Sequence, residues 1–281
     1  MNYEHLPNCS CFAIFFEIAT PANVETMWQA VCTLFDDLSV PIERVVGANG
    51  RSVQASRATI SRMLARNEIN VTGGTSLAPL KSYDWRACGH FHAGLRSLFF
   101  GFEAQSRSEF QGILDDVFLK LASKLPGARY GFIFNRAVGL NPVAYVSGMN
   151  SIETDPADRD LRMVWSNSLA IGCEHLTIRD VFETNCLMRS GASAKLAEDI
   201  QCLVKKTDLG IMEYFDDLMV WRVPKYRLIE ARDLLIGSGI IKTAQWIRDI
   251  YSVNMRKSLS SAAMTHELLT DTKGFLKAHK Q

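Results

Sequence analysis

Apolar positions along the first half of the chain follow two repeats, one typical of strands and one typical of helices. Residues 11–19 ("CFAIFFEIA") form a short aromatic and β-branched run, which predicts a buried strand. From Pro21 to Leu38 apolar residues recur at spacings of three and four, which predicts a helix. A further amphipathic helix is predicted over residues 108–125, with Ser108 as its N-cap. The chain therefore opens with a strand and a helix and continues with more of both.

The second half mixes adjacent strands with further helices. "ARYGFIFNRA" (128–137) and "NPVAYVSGM" (141–149) predict two strands, and residues 192–207 predict a helix. The segment 210–224 ("GIMEYFDDLMVWRVP") predicts a turn and a strand that end at Pro224, before another helix over residues 226–239. Because some strands follow one another directly, the pattern favours an α+β fold, a mainly antiparallel sheet with helices packed on one face.

The length of 281 residues fits a single domain that buries most of its apolar surface without disulfides or metals. Both halves show a strand–helix–strand order. This similarity suggests two related α/β halves within residues 1–281, with sub-structures at about 1–150 and 151–281.

Charge narrows the classes of partner. Lys and Arg number 31 against 30 Asp and Glu, a net charge of +1, which argues against a broad nucleic-acid surface. No run approaches the roughly 20 apolar residues of a membrane span, and the first residues lack the basic start of a secretory signal. We therefore expect a cytoplasmic protein that binds neither nucleic acid nor membranes and keeps its seven cysteines reduced.

The stretch "CGHFHAG" holds the strongest candidate metal ligands, Cys88, His90 and His92. On a strand these alternate positions face one side and could hold zinc. No fourth ligand lies nearby in the sequence, so we expect no metal and no cofactor, and a zinc-dependent metalloenzyme remains the alternative. Since no nucleophile elbow or acid–base constellation is present either, the sequence favours a binding protein over an enzyme.

Residues 177–241 carry a family resemblance, supported upstream by "ARYGFIFNR". The marks are "RDV" at 179–181, a strand that ends in "WRVP" at 221–224, and a closing "LLIGSGII". Together they resemble the immunity protein 52 family of bacterial polymorphic-toxin systems. The matched positions that we interpret as structural rather than toxin-binding are Tyr130, Gly131, Asp180, Asn185, Trp221 and Pro224.

The resemblance implies a non-catalytic immunity protein. Such a protein binds a cognate toxin in the cytosol, often a type VI secretion effector, and the toxin is often a nuclease of the restriction-endonuclease fold. A further alternative is a non-catalytic structural or adaptor subunit that homo-oligomerises through exposed aromatic patches.

Two acidic stretches are the candidate toxin-binding residues, because carboxylates attract a nuclease surface built for phosphate. One stretch is an acidic connector at 151–160, and the other is "EYFDD", in which aromatic residues lie within a charged rim. Their members are Glu153, Asp155, Asp158, Asp160, Glu213, Tyr214, Phe215, Asp216 and Asp217.

Overall fold

The computed structural model describes twelve parts of the chain. They are residues 8–17, 21–37, 39–47, 52–65, 69–70, 87–92, 96–103, 108–125, 127–137, 142–148, 156–250 and 252.

Within these parts, strands and helices interleave along the chain. In order they are β1 (Asn8–Phe16), α1 (Pro21–Asp37), β2 (Arg44–Gly47), β3 (Ser52–Gln54), α2 (Arg57–Ala65), β4 (Ile69–Asn70), β5 (Ala87–His92), β6 (Ser97–Glu103), α3 (Ser108–Lys124), β7 (Ala128–Ala137), α4 (Pro142–Ser147), α5 (Pro156–Ile171), β8 (Thr184–Met188), α6 (Ala194–Thr207), β9 (Ile211–Phe215), β10 (Leu218–Arg222) and α7 (Leu228–Gly237). Residues 244–250 are also helical.

The fold is α+β and is centred on an antiparallel sheet of seven strands, in the order β5-β6-β1-β7-β8-β10-β9. A second, three-stranded antiparallel sheet has the order β3-β2-β4. The predicted fold class is therefore confirmed. None of the helices in the described residues is long and apolar enough to cross a membrane.

Helices cover both faces of the large sheet, so the expectation of helices on one face is wrong. Strand β1 shows why, because its successive side chains point to opposite faces and both sets are buried. Phe12 and Ile14 pack with residues of α1 and α3, whereas Ala13 and Phe15 pack with residues of α4, α5, α6 and α7. The sheet is therefore the middle layer between two layers of helices.

The segment 142–147 is the helix α4, although its apolar run predicted a strand. Pro142 is its first residue, a position where proline loses no hydrogen bond and its fixed φ suits a helix. Ala144, Tyr145 and Val146 are all buried. Consecutive burial of this kind is typical of a short helix enclosed by its neighbours, and it resembles a buried strand in sequence.

Gly131 in β7 is required by close packing. A Cβ at this position would lie 2.8 Å from the Ala13 carbonyl oxygen, 2.9 Å from Cys186 Sγ and 3.0 Å from the Phe118 ring. A larger residue would separate β1 from β7 or push α3 away from the sheet. Gly131 is thus a structural residue of the sheet centre.

Candidate binding surface at the sheet edge

The hairpin of β9 and β10 holds the second acidic stretch, and β9 is an edge strand of the seven-stranded sheet. Phe215 pairs with Leu218, so Asp216 and Asp217 form a two-residue turn. Asp216 has a φ of 52°, in the left-handed region that aspartate tolerates better than most residues. Tyr214 and Phe215, just before the turn, are 42% and 44% exposed. The hairpin therefore presents two aromatic rings and two carboxylates at the sheet edge.

The hairpin divides these residues between the two faces of the sheet. Tyr214 lies opposite Met219 on the face that α6 covers, and its hydroxyl accepts a hydrogen bond of 2.6 Å from Gln201. The guanidinium of Arg189 lies 5.1 Å from the centre of the Tyr214 ring. Phe215 lies opposite Leu218, whose side chain belongs to the other face. The two rings therefore share the edge but do not form one patch on a single face.

The three carboxylates of the hairpin differ in the contacts that they already make within the chain. Glu213 forms an ion pair of 2.9 Å with Arg222, which also pairs with Asp115 of α3 at 3.1 Å. Asp217 accepts a hydrogen bond from the Ser190 hydroxyl. Asp216 is exposed at the turn. The negative charge that a partner would meet first is therefore at Asp216 and Asp217.

The first acidic stretch is not a loop where the structure describes it. Asp158 and Asp160 lie in the first turns of α5, which begins at Pro156, and this corrects the expected acidic connector. Asp160 is exposed. Glu153 and Asp155 lie outside the described residues. Of the four candidate residues in this stretch, Asp160 is therefore the one whose exposed side chain the structure describes.

Trp221 of β10 and Asn185 of β8 lie directly opposite each other where the two strands pair. Both are among the residues that we interpret as structural. The Trp221 indole is 1% exposed and its N–H donates a hydrogen bond of 2.7 Å to the Leu209 carbonyl. The Asn185 side chain accepts from the Phe182 amide at 3.1 Å and donates to the Phe182 carbonyl at 2.6 Å. These bonds tie the backbone before β8 and the backbone before β9 to the sheet.

Asp180 anchors α7 to the same region. Its buried carboxylate accepts two hydrogen bonds from the Arg232 guanidinium, at 2.7 and 2.6 Å, and one from the Val181 amide at 2.7 Å. The hydroxyl of Tyr130 donates to the Asp180 carbonyl at 3.3 Å. The bidentate pair of Asp180 with Arg232 fixes the relative orientation of the two side chains as well as their distance. Pro224 is half-buried at the start of the turn that leads into α7.

A cleft of about 660 Å³ adjoins the hairpin. Its charged lining includes the ion pair of Arg222 with Asp115 and that of Arg232 with Asp180. Ile211, at the start of β9, also lines the cleft and is 66% exposed. Arg136, Glu183 and Lys225 also line the cleft, so its charges are mixed in sign.

The stretch with the candidate metal ligands forms the opposite edge strand, β5. Cys88 is 1% exposed in the core, and its burial and the neighbouring Cys9 raise the pKa of its thiol well above the ordinary value. A zinc ligand must be a thiolate, which this environment disfavours. His90 is half-buried, and the side chain of His92 lies outside the described residues. Among the residues described, no group of three or more Cys, His, Asp or Glu side chains is placed to hold a metal ion.

Comparison with models of known protein families finds no match, and no curated protein matches the chain.

The contacts that order the hairpin were not predicted from the sequence. Arg222, Arg189 and Gln201 are distant from one another along the chain. The pairing of the strands brings Arg222 and Arg189 to β9, and the packing of α6 on the sheet brings Gln201 there. The two most exposed large apolar side chains in the described residues, Tyr226 (86%) and Ile229 (72%), were also missed. The signal for them is weak, because a helical repeat assigns both to the helix after Pro224 without saying which face meets solvent.

Proposed function

We propose that this chain is an immunity protein that binds and neutralises a bacterial toxin, a nuclease effector of a type VI secretion system. The observation that carries the proposal is the hairpin at the sheet edge, where Tyr214 and Phe215 are partly exposed beside the carboxylates of Asp216 and Asp217. The resemblance of residues 177–241 to the immunity protein 52 family supports the same proposal.

The chemistry of the hairpin suits a nuclease partner. A nuclease attracts the phosphate backbone of its substrate with positive charge, and this charge also attracts carboxylates on an inhibitor. The net charge of the whole chain is +1, so the attraction must be local. Aromatic rings next to the carboxylates supply apolar contact area, and residues of this type dominate the energetics of interfaces.

An inhibitor of this kind acts by binding alone. It needs no metal, cofactor or catalytic residue, because it covers the site through which the toxin meets its substrate. It acts in the cytoplasm, where a nuclease toxin meets the DNA of the cell. Structural residues such as Trp221 and Asp180 contribute indirectly, by holding β10 and α7 in place behind the hairpin.

Inhibition of DNA cleavage by purified proteins tests the proposal. The nuclease domain of the toxin encoded beside this gene is mixed with rising amounts of the chain, and cleavage of a DNA fragment is followed over time. We expect cleavage to stop near one equivalent of the chain, while an unrelated nuclease remains fully active. Undiminished cleavage by the cognate toxin at a large excess of the chain would contradict the proposal.

A further inference from the structure

Strand β9 has one strand partner among the described residues, namely β10. Its other edge carries the backbone groups that an edge strand offers to an incoming strand. In a hairpin with a two-residue turn, the residues that flank the turn form a hydrogen-bonded pair, and such pairs alternate with non-bonded ones. Phe215, Glu213 and Ile211 therefore bond to β10, and the amide and carbonyl groups of Met212 and Tyr214 point outward.

The sequence of β9, "IMEYF", has two large apolar residues before Glu213 and two aromatic residues after it. A second copy that pairs with β9 antiparallel about a two-fold axis at Glu213 brings Ile211 opposite Phe215 of that copy. Met212 then lies opposite Tyr214 of the second copy. These two residues carry the outward backbone groups, so the amide of each can donate to the carbonyl of the other. The register that matches apolar side chains is therefore also the register that matches hydrogen bonds.

The ends of the strand bring charges of both signs together in this register. Continued past the strand, the pairing brings the acidic turn of the second copy, Asp216 and Asp217, to Gly210. Lys225 is exposed and lines the same cleft as Ile211, so it is the cation that can meet this turn. Arg227 already pairs with Glu230, and Asp208 beside it is exposed, so the favourable contact at each end rests on Lys225.

The centre of the pair carries a cost. Glu213 lies opposite Glu213 of the second copy, and like charges directly opposite each other destabilise a strand pair. In each copy Arg222 lies 2.9 Å from the Glu213 of the same chain, and this ion pair offsets part of the repulsion. A short strand with one unfavourable central contact is consistent with an association in the micromolar range rather than with an obligate dimer.

From these features we infer that the chain forms a symmetric dimer by antiparallel pairing of β9 with β9 of a second copy. The pairing joins the two seven-stranded sheets into one continuous sheet. Apolar contact of Ile211 with Phe215 flanks the axis on one face and contact of Met212 with Tyr214 flanks it on the other. The inference does not depend on the proposed function, and its test requires no toxin.

Sedimentation velocity of the full chain at concentrations up to about 100 μM tests the dimer. We expect the fraction of dimer to rise with concentration. Ile211→Lys and Phe215→Glu, made singly, should each weaken the dimer at least about tenfold, because each buries a charge against an apolar side chain. The double variant should restore the dimer, since the lysine of one copy then faces the glutamate of the other.

Met163→Lys is the matched control, because Met163 is an exposed apolar residue (45%) on α5, outside the pairing strand. It should leave the dimer unchanged. A chain that remains monomeric throughout the concentration range would overturn the inference. So would a double variant that dimerises no better than the single variants, because the register would then be different.

The dimer and a toxin complex that uses the same hairpin exclude each other, since both engage Tyr214 and Phe215. A chain that dimerises but does not inhibit its toxin leaves the pairing intact and removes the proposed function. A chain that inhibits its toxin but never dimerises supports the proposed function and overturns the dimer. The two failures are therefore distinguishable.

Discussion

At the scale of single residues, Trp221 tests the interpretation of the family-like positions as structural. Its indole is buried, and its N–H bonds to the Leu209 carbonyl at 2.7 Å. Trp221→Ala leaves a cavity and an unsatisfied carbonyl, so we expect the free energy of unfolding to fall by roughly 3 to 5 kcal/mol. Urea denaturation measures this change. Trp221→Phe keeps most of the volume and loses the hydrogen bond, so it should be less harmful.

Toxin binding by the Trp221→Ala variant should be lost only to the extent that the protein unfolds. A variant with unchanged stability that no longer binds the toxin would show that the indole meets the partner instead of the core.

The thiols allow a second test at the residue scale. Burial and, to a smaller extent, Asp36 raise the pKa of Cys32 to about 11, so only roughly one molecule in a thousand carries its thiolate at pH 8. Cys202 is exposed on α6 and should react first with iodoacetamide. Labelling of Cys32 should accelerate as the pH rises towards 11. The thiols that should react only after unfolding are Cys9, Cys11, Cys88 and Cys186.

Mass spectrometry of peptides from the native protein, taken over time, measures these rates. Labelling of Cys88 as fast as that of Cys202 would contradict the account, because Cys88 would then be accessible in the way a metal ligand or a catalytic thiol is.

At the scale of elements, the hairpin is where charge should govern association. Asp216→Asn together with Asp217→Asn removes both carboxylates from the turn. Asparagine tolerates the φ of 52° at position 216 and can still accept from Ser190 at position 217, so folding should be unaffected. We expect association with the toxin to slow several-fold at low salt and the difference to shrink at high salt. Stopped-flow fluorescence at two ionic strengths measures this rate.

Asp36→Asn with Asp37→Asn is the control for the hairpin variant. These adjacent residues are exposed at the end of α1, which packs against β5 at the opposite edge of the sheet. The two edge strands are about 29 Å apart, given six interstrand spacings of about 4.8 Å. The control should associate at the normal rate. Equal rates for the hairpin variant and the control would place the interface elsewhere.

Charge reversal of Asp216 and Asp217 to lysine should slow association further and abolish protection of cells. A lysine at position 216 strains the turn, and a lysine at position 217 removes the acceptor of the hydrogen bond from Ser190. The stability of the double lysine variant must therefore be measured together with its binding.

The elements also show how far local patterns predict structure. The segment 210–224 predicts a turn and one strand, and the structure has two strands, β9 and β10, on either side of that turn. The polar pair Asp216 and Asp217 is a local signal for the turn, whereas "IMEYF" does not alternate between apolar and polar residues, which leaves β9 without a strand signal of its own. Two segments differ from their prediction: residues 156–160, expected in an acidic connector, and the apolar run at 142–147, expected to be a strand, are both helical. In both, a proline marks the first residue of a helix, and the same residue is equally common in connectors.

At the scale of the whole molecule, the α+β class was predictable because strands and helices alternate without regular βαβ spacing. The second layer of helices was not predicted, although the unbroken apolar run of β1 indicates burial on both faces. The candidate surface was predictable as a stretch of residues but not as a geometry. The register of β9 with β10 decides on which face of the sheet Tyr214 and Phe215 lie. It also decides that Glu213 is the hairpin carboxylate that pairs with Arg222.

Survival of bacterial cells that produce the toxin tests whether this chain neutralises it. The toxin is expressed from an inducible promoter with this chain, with the variant that carries asparagine substitutions at Asp216 and Asp217, or with no partner, and colonies are counted after induction. We expect full survival with the chain, reduced survival with the hairpin variant and none without a partner. Equal killing with and without the folded chain, present at levels above those of the toxin, would contradict the assignment of this protein as the toxin's inhibitor.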